Sequence, residues 1–297
     1  MLSVNVAYAE WGSRNRATSL HETLKCISAA GGMVHQIIIA DNKLECAPFP
    51  GDYASRTKII SGDNFAREFS AWDRAYEALD DKAGADVVLC VNDTFAAHRR
   101  VRMARRLRIA RWLQVAADSS EPEMFGQLDP SVGAPAEWVF GELSTYISSY
   151  LFGLTPVAAA RLFPLTAIDA EIDTLLNQRF SPAGLFSEAL PLPHRRRIED
   201  WLFTPGNWRN SAPLSAENFE FFRLKAKSIL YEFALTSRAR SAGIKVSDLF
   251  AGRGRIDEIA GSLGKAWMTG TSMLKQSLPG SLGNLRRSGS RGKLRGN

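Results

Sequence analysis

Five successive apolar residues, Val87, Val88, Leu89, Cys90 and Val91, give way at once to Asn92, Asp93 and Thr94. A strand with one wet face alternates apolar and polar residues, so an unbroken run means a strand covered on both faces. That is the habit of parallel sheets, whose strands are joined by crossovers that lay helices on either side. The surrounding sequence must then supply strands and helices in alternation.

It does so over the first 95 residues. SVNVAYA reads as a strand, ATSLHETLKCISAAGG as a helix closed by Gly31 and Gly32, and HQIIIADN and TKIISGDN as two further strands. NFAREFSAWDRAYEALDDKAG places Phe65, Phe69, Trp72, Tyr76 and Leu79 at helical spacing, with Gly84 closing it before the apolar run. Beyond lie an Arg-rich helix, a strand in EMFGQLDPSVG, a β-rich STYISSYLFGL, and a helix opened by Thr155 and Pro156. Residues 165–240 read mostly as helix, interrupted by the Pro-rich FSPAGLFSEALPLPHRRR. The expected class is α/β, a mostly parallel sheet flanked by helices, with a helical C-terminal extension.

Four of these strands end in polar or permissive residues: Tyr8, Ala9 and Glu10; Asp41 and Asn42; Gly62, Asp63 and Asn64; Asn92, Asp93 and Thr94. One such end says only that a loop follows. Four on the edge where α/β sheets take ligands point to a nucleotide-type site. The competing reading is local: Asn92 and Asp93 as helix caps, Asp41 as an Asx turn.

The chain has 297 residues, 45% of them hydrophobic, enough for a sizeable core. Its charge of +6 is uneven: from Ser237 onward there are 12 Lys or Arg against 3 acids, which leaves 25 against 28 before it. No apolar run approaches the roughly 20 residues of a spanning helix, and the first residues carry no signal pattern. Cys26, Cys46 and Cys90 match no metal-ligand spacing and suit free thiols in a reducing compartment, so the expected location is cytoplasmic or on the inner face of a membrane. Neither a Walker loop nor a nucleophile elbow is present, and His21, His35, His98 and His194 are scattered.

NFAREFSAW, then VVLCVNDTF, MFGQLD and ISSYLFGLTPVA, in that order, resemble the motifs of the rhamnan synthesis protein F family and its relatives among the GT-A glycosyltransferases. The likeness covers about residues 36–165. It implies transfer of a sugar from a nucleotide-sugar donor to a polysaccharide or lipid-linked glycan acceptor. It further implies a GT-A-like catalytic domain over 1–165, a helical extension over 166–240 on the acceptor side, and a basic, partly disordered tail over 241–297. Asp93 falls where such enzymes keep the Asp-x-Asp metal motif, which makes it the candidate ligand for Mg²⁺ or Mn²⁺. Val91 stands where the first carboxylate of that motif would be.

A nucleoside diphosphate leaves readily only when its growing charge is neutralised, which a divalent ion on the phosphates achieves. One or two carboxylates suffice for Mg²⁺, with phosphate oxygens and water completing its shell. Tyr8, Ala9, Glu10, Asp41, Asn42 and Asn92 are the candidate donor-binding residues at the strand ends. Gly62 would let the backbone approach the ligand, Asn64 would start the next helix, and Arg67 would reach the diphosphate or pair with Asp63. Trp72 reads as core. An inverting transfer needs a general base, for which Glu142 and Asp129 are the candidates.

HRRVRMARRLRIARWL places Met103, Leu107, Ala110 and Leu113 on one stripe and arginines on the rest. In the tail, SLGKAWMTGTSMLKQSL sets Leu263, Trp267, Met268, Met273, Leu274 and Leu278 among lysines. Together, residues 98–111 and 255–297 are the expected contacts with an anionic membrane surface, a solvated charge run being the alternative. Nucleic acid is not an expected partner, because the aromatics do not interleave with the basic residues.

Overall fold

A computed structural model describes residues 1–43, 45, 53–97, 101–130 and 136–251. Met1–Arg253 form one compact unit. The tail proposed as an interfacial helix, together with Cys46 and residues 98–100 of the basic segment, lies outside the described residues.

The chain runs β1 (Ser3–Glu10), α1 (Arg16–Ala29), β2 (Met33–Asp41), β3 (Thr57–Ser61), α2 (Glu68–Glu77), β4 (Val87–Asn92), α3 (Met103–Ala117) and β5 (Glu123–Pro130). A short hairpin of β6 (Ala136–Trp138) and β7 (Gly141–Leu143) follows, then β8 (Thr145–Leu154), α4 (Pro156–Leu162), α5 (Asp169–Thr174), α6 (Leu192–Phe203), α7 (Phe219–Ser241) and β9 (Lys245–Asp248). Seven strands make one sheet in the order β3-β2-β1-β4-β8-β5-β9. β8 runs antiparallel to both neighbours, and the other pairs are parallel. The fold is thus a mostly parallel α/β sheet flanked by helices, compatible with a Rossmann-like arrangement.

The pleat divides the core in two. Val4, Val6 and Tyr8 of β1 face Leu20 and Ile27 of α1 and Ile109 and Leu113 of α3. Ala7 and Ala9 face Phe69 and Trp72 of α2 and Phe222 and Ala226 of α7. All six residues of β4 are buried, as an unbroken apolar run requires. Helix α1 ends as its glycines dictate: Gly31 takes φ 67° and the Gly32 amide turns back to the Ile27 carbonyl. At the far end of β8, the Thr155 side chain accepts the Ala158 amide, and Pro156 opens α4.

Three expectations are revised. α2 begins at Glu68 rather than Asn64, because Asn64 and Arg67 sit at φ 52° and 53°, which breaks the helix before it starts. Phe65 therefore leaves the apolar stripe and is 51% exposed. On α3 the buried side is Ile109, Ala110, Leu113 and Ala116, while Met103 and Leu107 turn outward. Lys245–Asp248, read as part of the tail, adds β9 to the sheet edge beside β5.

Candidate functional site

Because β1, β2, β3 and β4 are parallel, their four polar ends lie on one edge. Register sets them side by side, with Glu10 opposite Asp41, Asp41 opposite Ser61, and Ala9 opposite Asn92. The chain leaves β1 toward β2 and β3 on one flank and returns to β4 on the other. The gap between β1 and β4 is therefore the point at which strand order reverses, where open α/β sheets bind ligands.

On the α1 face of this edge the polar groups are engaged by the protein. Glu10 is 1% exposed, and the Arg16 Nε donates to its two oxygens at 2.8 and 3.1 Å. Burial pushes the Glu10 carboxyl up to about 7 against the pull of Arg16, and Asp41 and Asp93 add to the rise. The Asp41 carboxylate, fully buried, accepts the amides of Gly12, Lys43 and Glu45 at 3.2, 2.9 and 2.9 Å. It ties the loop after β1 to the loop after β2, the local role that an Asx turn foreshadows. Tyr8 and Ala9 are core residues. Burial raises the Tyr8 phenol, with Asp93 and Glu10 contributing.

At the end of β4, the Asn92 Oδ1 accepts the Thr94 amide and hydroxyl at 3.1 and 2.8 Å. This is a turn and not a helix cap, since α3 begins only at Met103. The Asp93 amide donates to Ala9, and the Trp11 amide approaches its Oδ2 at 3.4 Å. Trp11 itself is 55% exposed beside Asp93. Sequence reading missed it because it belongs to no periodic element.

On the α2 and α7 face, Asn42 joins the strand end to the strained segment. Its Oδ1 accepts the Asn64 amide and its Nδ2 donates to the Arg67 carbonyl, both at 3.1 Å. This contact by itself requires glycine at position 62: a Cβ there would clash with the Asn42 side chain and meet its backbone at 2.9 Å. The Arg67 guanidinium lies over the Phe221 ring of α7 at 6.0 Å, and its predicted partner Asp63 instead faces Arg74 at 3.8 Å. Trp72 is core, donating to the Val91 carbonyl at 3.0 Å.

β8 and α7 bring in residues that no motif announced. The Ser149 hydroxyl donates to Glu68 and its amide to Glu232, each at 3.0 Å. Burial raises the Glu232 carboxyl, with Lys225 and Ser149 opposing. Asp129 pairs across the strands with Tyr146, whose phenol burial, Glu232 and Asp129 push up to about 12. Asp129 therefore belongs to this group. Glu142 does not: its side chain is exposed on β7, and its carbonyl is held by Ser237 near the end of α7.

Two surface hollows, of about 580 and 500 Å³, are lined by residues such as Arg161 and Ala242, and Met1 and Asp86. Arg161 and Ala242 stand at the C-terminal ends of α4 and α7, and Met1 and Asp86 just before β1 and β4, so neither hollow lies at the carboxyl ends of β1–β4. Among the described residues no group of three or more His, Cys, Asp or Glu has metal-holding geometry. Glu10 and Asp41 are committed to Arg16 and to amides, so the donor set fits a divalent ion only where Asp93 is the single protein carboxylate and a diphosphate supplies further oxygens. No protein-family model matches the chain, and no curated protein matches it.

Proposed function

We propose that the protein is a GT-A-like glycosyltransferase that moves a sugar from a nucleotide-sugar donor to a polysaccharide or lipid-linked glycan acceptor. The observation that carries this reading is the meeting of Glu10, Asn92 and Asp93 at the strand-order reversal between β1 and β4. In this reading the donor lies along the carboxyl edge beside Asp93, with the exposed Trp11 as an aromatic surface for its base. Asp93 would hold a divalent ion, which, when bound, neutralises the leaving diphosphate. The chain's own work is to fix the loops after β1 and β2 through Asp41 and so hold the donor against Asp93. Asp129, beside Tyr146 and Glu232, is the better-placed of the two base candidates.

The exposed Arg102, just before α3, and Met103, Leu107 and Arg111 of α3 suit an anionic membrane surface near the acceptor. Among the described residues no helix is long and apolar enough to cross a membrane. Val91 in place of a first metal carboxylate favours a second reading, a catalytically silent sugar-binding subunit of an assembly complex.

Thermal shift with UDP, GDP, CDP and dTDP, each with and without Mn²⁺, tests the proposal. The expected result is stabilisation by one nucleotide that depends on metal and disappears in Asp93→Ala. Stabilisation that Asp93→Ala leaves intact would support the silent subunit, and none by any nucleotide would sink both readings.

A further inference from the structure

The α2 and α7 face holds a strained, underused cation. Arg67 has φ 53° and ψ −126°, a conformation that L-residues rarely adopt and that surrounding structure must enforce. Its Nε is shut off from solvent and finds no hydrogen-bond partner among the described residues. Burial lowers its pKa, with Glu68 the one neighbouring charge that opposes. Its guanidinium has the Phe221 ring as a partner, and an anion would add a charge-assisted one.

What surrounds it is specific. Along α7, Phe221, Lys225, Ser228 and Glu232 recur at helical spacing and form one stripe. Phe221 lies under the Arg67 guanidinium and is 44% exposed. Its ring stacks on Trp208 at 5.8 Å, Trp208 stacks on Trp201 at 5.2 Å, and Lys225 sits over Trp201 at 5.4 Å. At the inner end of the stripe, Glu232 and Glu68 share Ser149. Phe65, 51% exposed, lies two residues before Arg67, with the Lys227 Nζ over its ring at 4.6 Å. The seam thus offers one fork-shaped cation, exposed aromatic rings and two carboxyl acceptors, supplied by four segments of the chain.

We infer that the seam between Arg67 and the Phe221–Glu232 stripe of α7 binds a sugar ring that carries an anionic group, either phosphate or carboxylate. The guanidinium takes the anion bidentately through its two Nη groups, the exposed ring edges border the apolar side of the sugar, and the carboxyls accept its hydroxyls. As a binding site this is independent of the nucleotide reading. Only its role as the acceptor position rests on that reading.

Isothermal calorimetry, with tryptophan fluorescence from Trp201 and Trp208 in parallel, tests it using glucose 1-phosphate and glucuronate against glucose and inorganic phosphate. One or both anionic sugars should bind at millimolar concentration, and glucose and inorganic phosphate at least about tenfold more weakly. Equal binding of inorganic phosphate overturns the sugar assignment, and no binding by either anionic sugar overturns the site. Arg67→Gly should weaken the anionic sugar at least about tenfold while raising Tm, since glycine accepts the backbone conformation without strain. A lower Tm with unchanged sugar binding would reduce Arg67 to a packing residue. Arg67→Lys, which keeps the charge but not the fork, should lose several-fold, and full retention counts against bidentate capture. Phe221→Ala should weaken the anionic sugar and leave nucleotide stabilisation intact, whereas Asp93→Ala should remove the nucleotide stabilisation alone, so failure of the nucleotide reading and failure of this one are read separately.

Discussion

The two faces of the carboxyl edge are built on different terms. On the α1 face the buried carboxylates have protein partners: Glu10 has Arg16 and Asp41 has three amides, and the Asp93 amide has the Ala9 carbonyl. On the α7 face several polar groups are poorly served. Arg67 is strained, two carboxyls share one serine, and among the described residues neither the Arg67 Nε nor either ring nitrogen of the fully buried His194 has a hydrogen-bond partner. Satisfied networks hold a fold together, whereas costly unsatisfied groups mark what the fold is held together to do. The α1 face is thus the scaffold of the edge, and the α7 face is where removing a polar group should relieve as much as it damages.

Arg16→Ala should show the largest effect, because it leaves Glu10 buried without its counter-charge. The expected cost is about 3 to 5 kcal/mol in urea unfolding at pH 8. A cost below about 1 kcal/mol would mean that the pair is no more than a surface bridge and would remove the contrast between the faces. Glu10→Gln isolates the proton. The Glu10 carboxyl is raised from 4.5 to about 7 in the folded state, so its contribution is fully present below 4.5 and is lost as pH rises toward 7. In Glu10→Gln that part of the pH slope should vanish.

Gly62→Ala attacks the joint between the faces. The new methyl would meet the Asn42 backbone at 2.9 Å, where nothing can rotate away, and the expected loss is about 2 kcal/mol. The same change should loosen the Asn42 bonds that hold Asn64 and Arg67, which faster amide exchange over residues 62–68 would report.

His194→Leu is expected to act in the opposite direction. The ring packs edge-on to Phe233, and burial, then Arg197, lowers its pKa below the ordinary 6.5. The unfolded chain therefore takes up a proton near pH 6.5 that the folded chain refuses, and stability falls as pH drops from there. Leucine should stabilise by about 1 kcal/mol at pH 5 and less at pH 8, read as a pH-dependent Tm difference. A destabilised variant at both values would show that the imidazole has a role its contacts do not reveal.

Much of the scaffold face could be read directly from the sequence, and little of the other. The run Val87–Val91 announced a doubly covered strand, and the parallel register it implied put Glu10, Asp41 and Asn92 in a row. Short-range rules sufficed because each of those ends is a few residues from its own strand. Ser149 meets Glu68 and Glu232 across 81 and 83 residues, through an antiparallel strand and the longest helix, and no local pattern reports such a meeting. The place of Glu142 was hidden for the same reason, since the hairpin of β6 and β7 carries its carbonyl to Ser237 near the end of α7. The left-handed Asn64 and Arg67 defeated helix periodicity, because the apolar spacing of Phe65 and Phe69 runs straight through a break set by the backbone. β9 escaped notice because Lys245–Asp248 is short and polar and draws its order from pairing with β5.

The smallest effect is the most informative about the contrast. Glu232 is raised by burial, so the folded state favours its protonated form, and its contribution to stability is fully present below 4.5 and lost as pH rises. Glutamine copies the protonated shape and keeps an oxygen for the Ser149 amide. Glu232→Gln should therefore match the wild type at pH 4 and equal or exceed it at pH 8, within about 1 kcal/mol, in paired urea titrations. If the wild type is instead clearly more stable at pH 8, the fold compensates the Glu232 charge. The α7 face would then be scaffold too, and the strained Arg67 would have to be explained by packing alone.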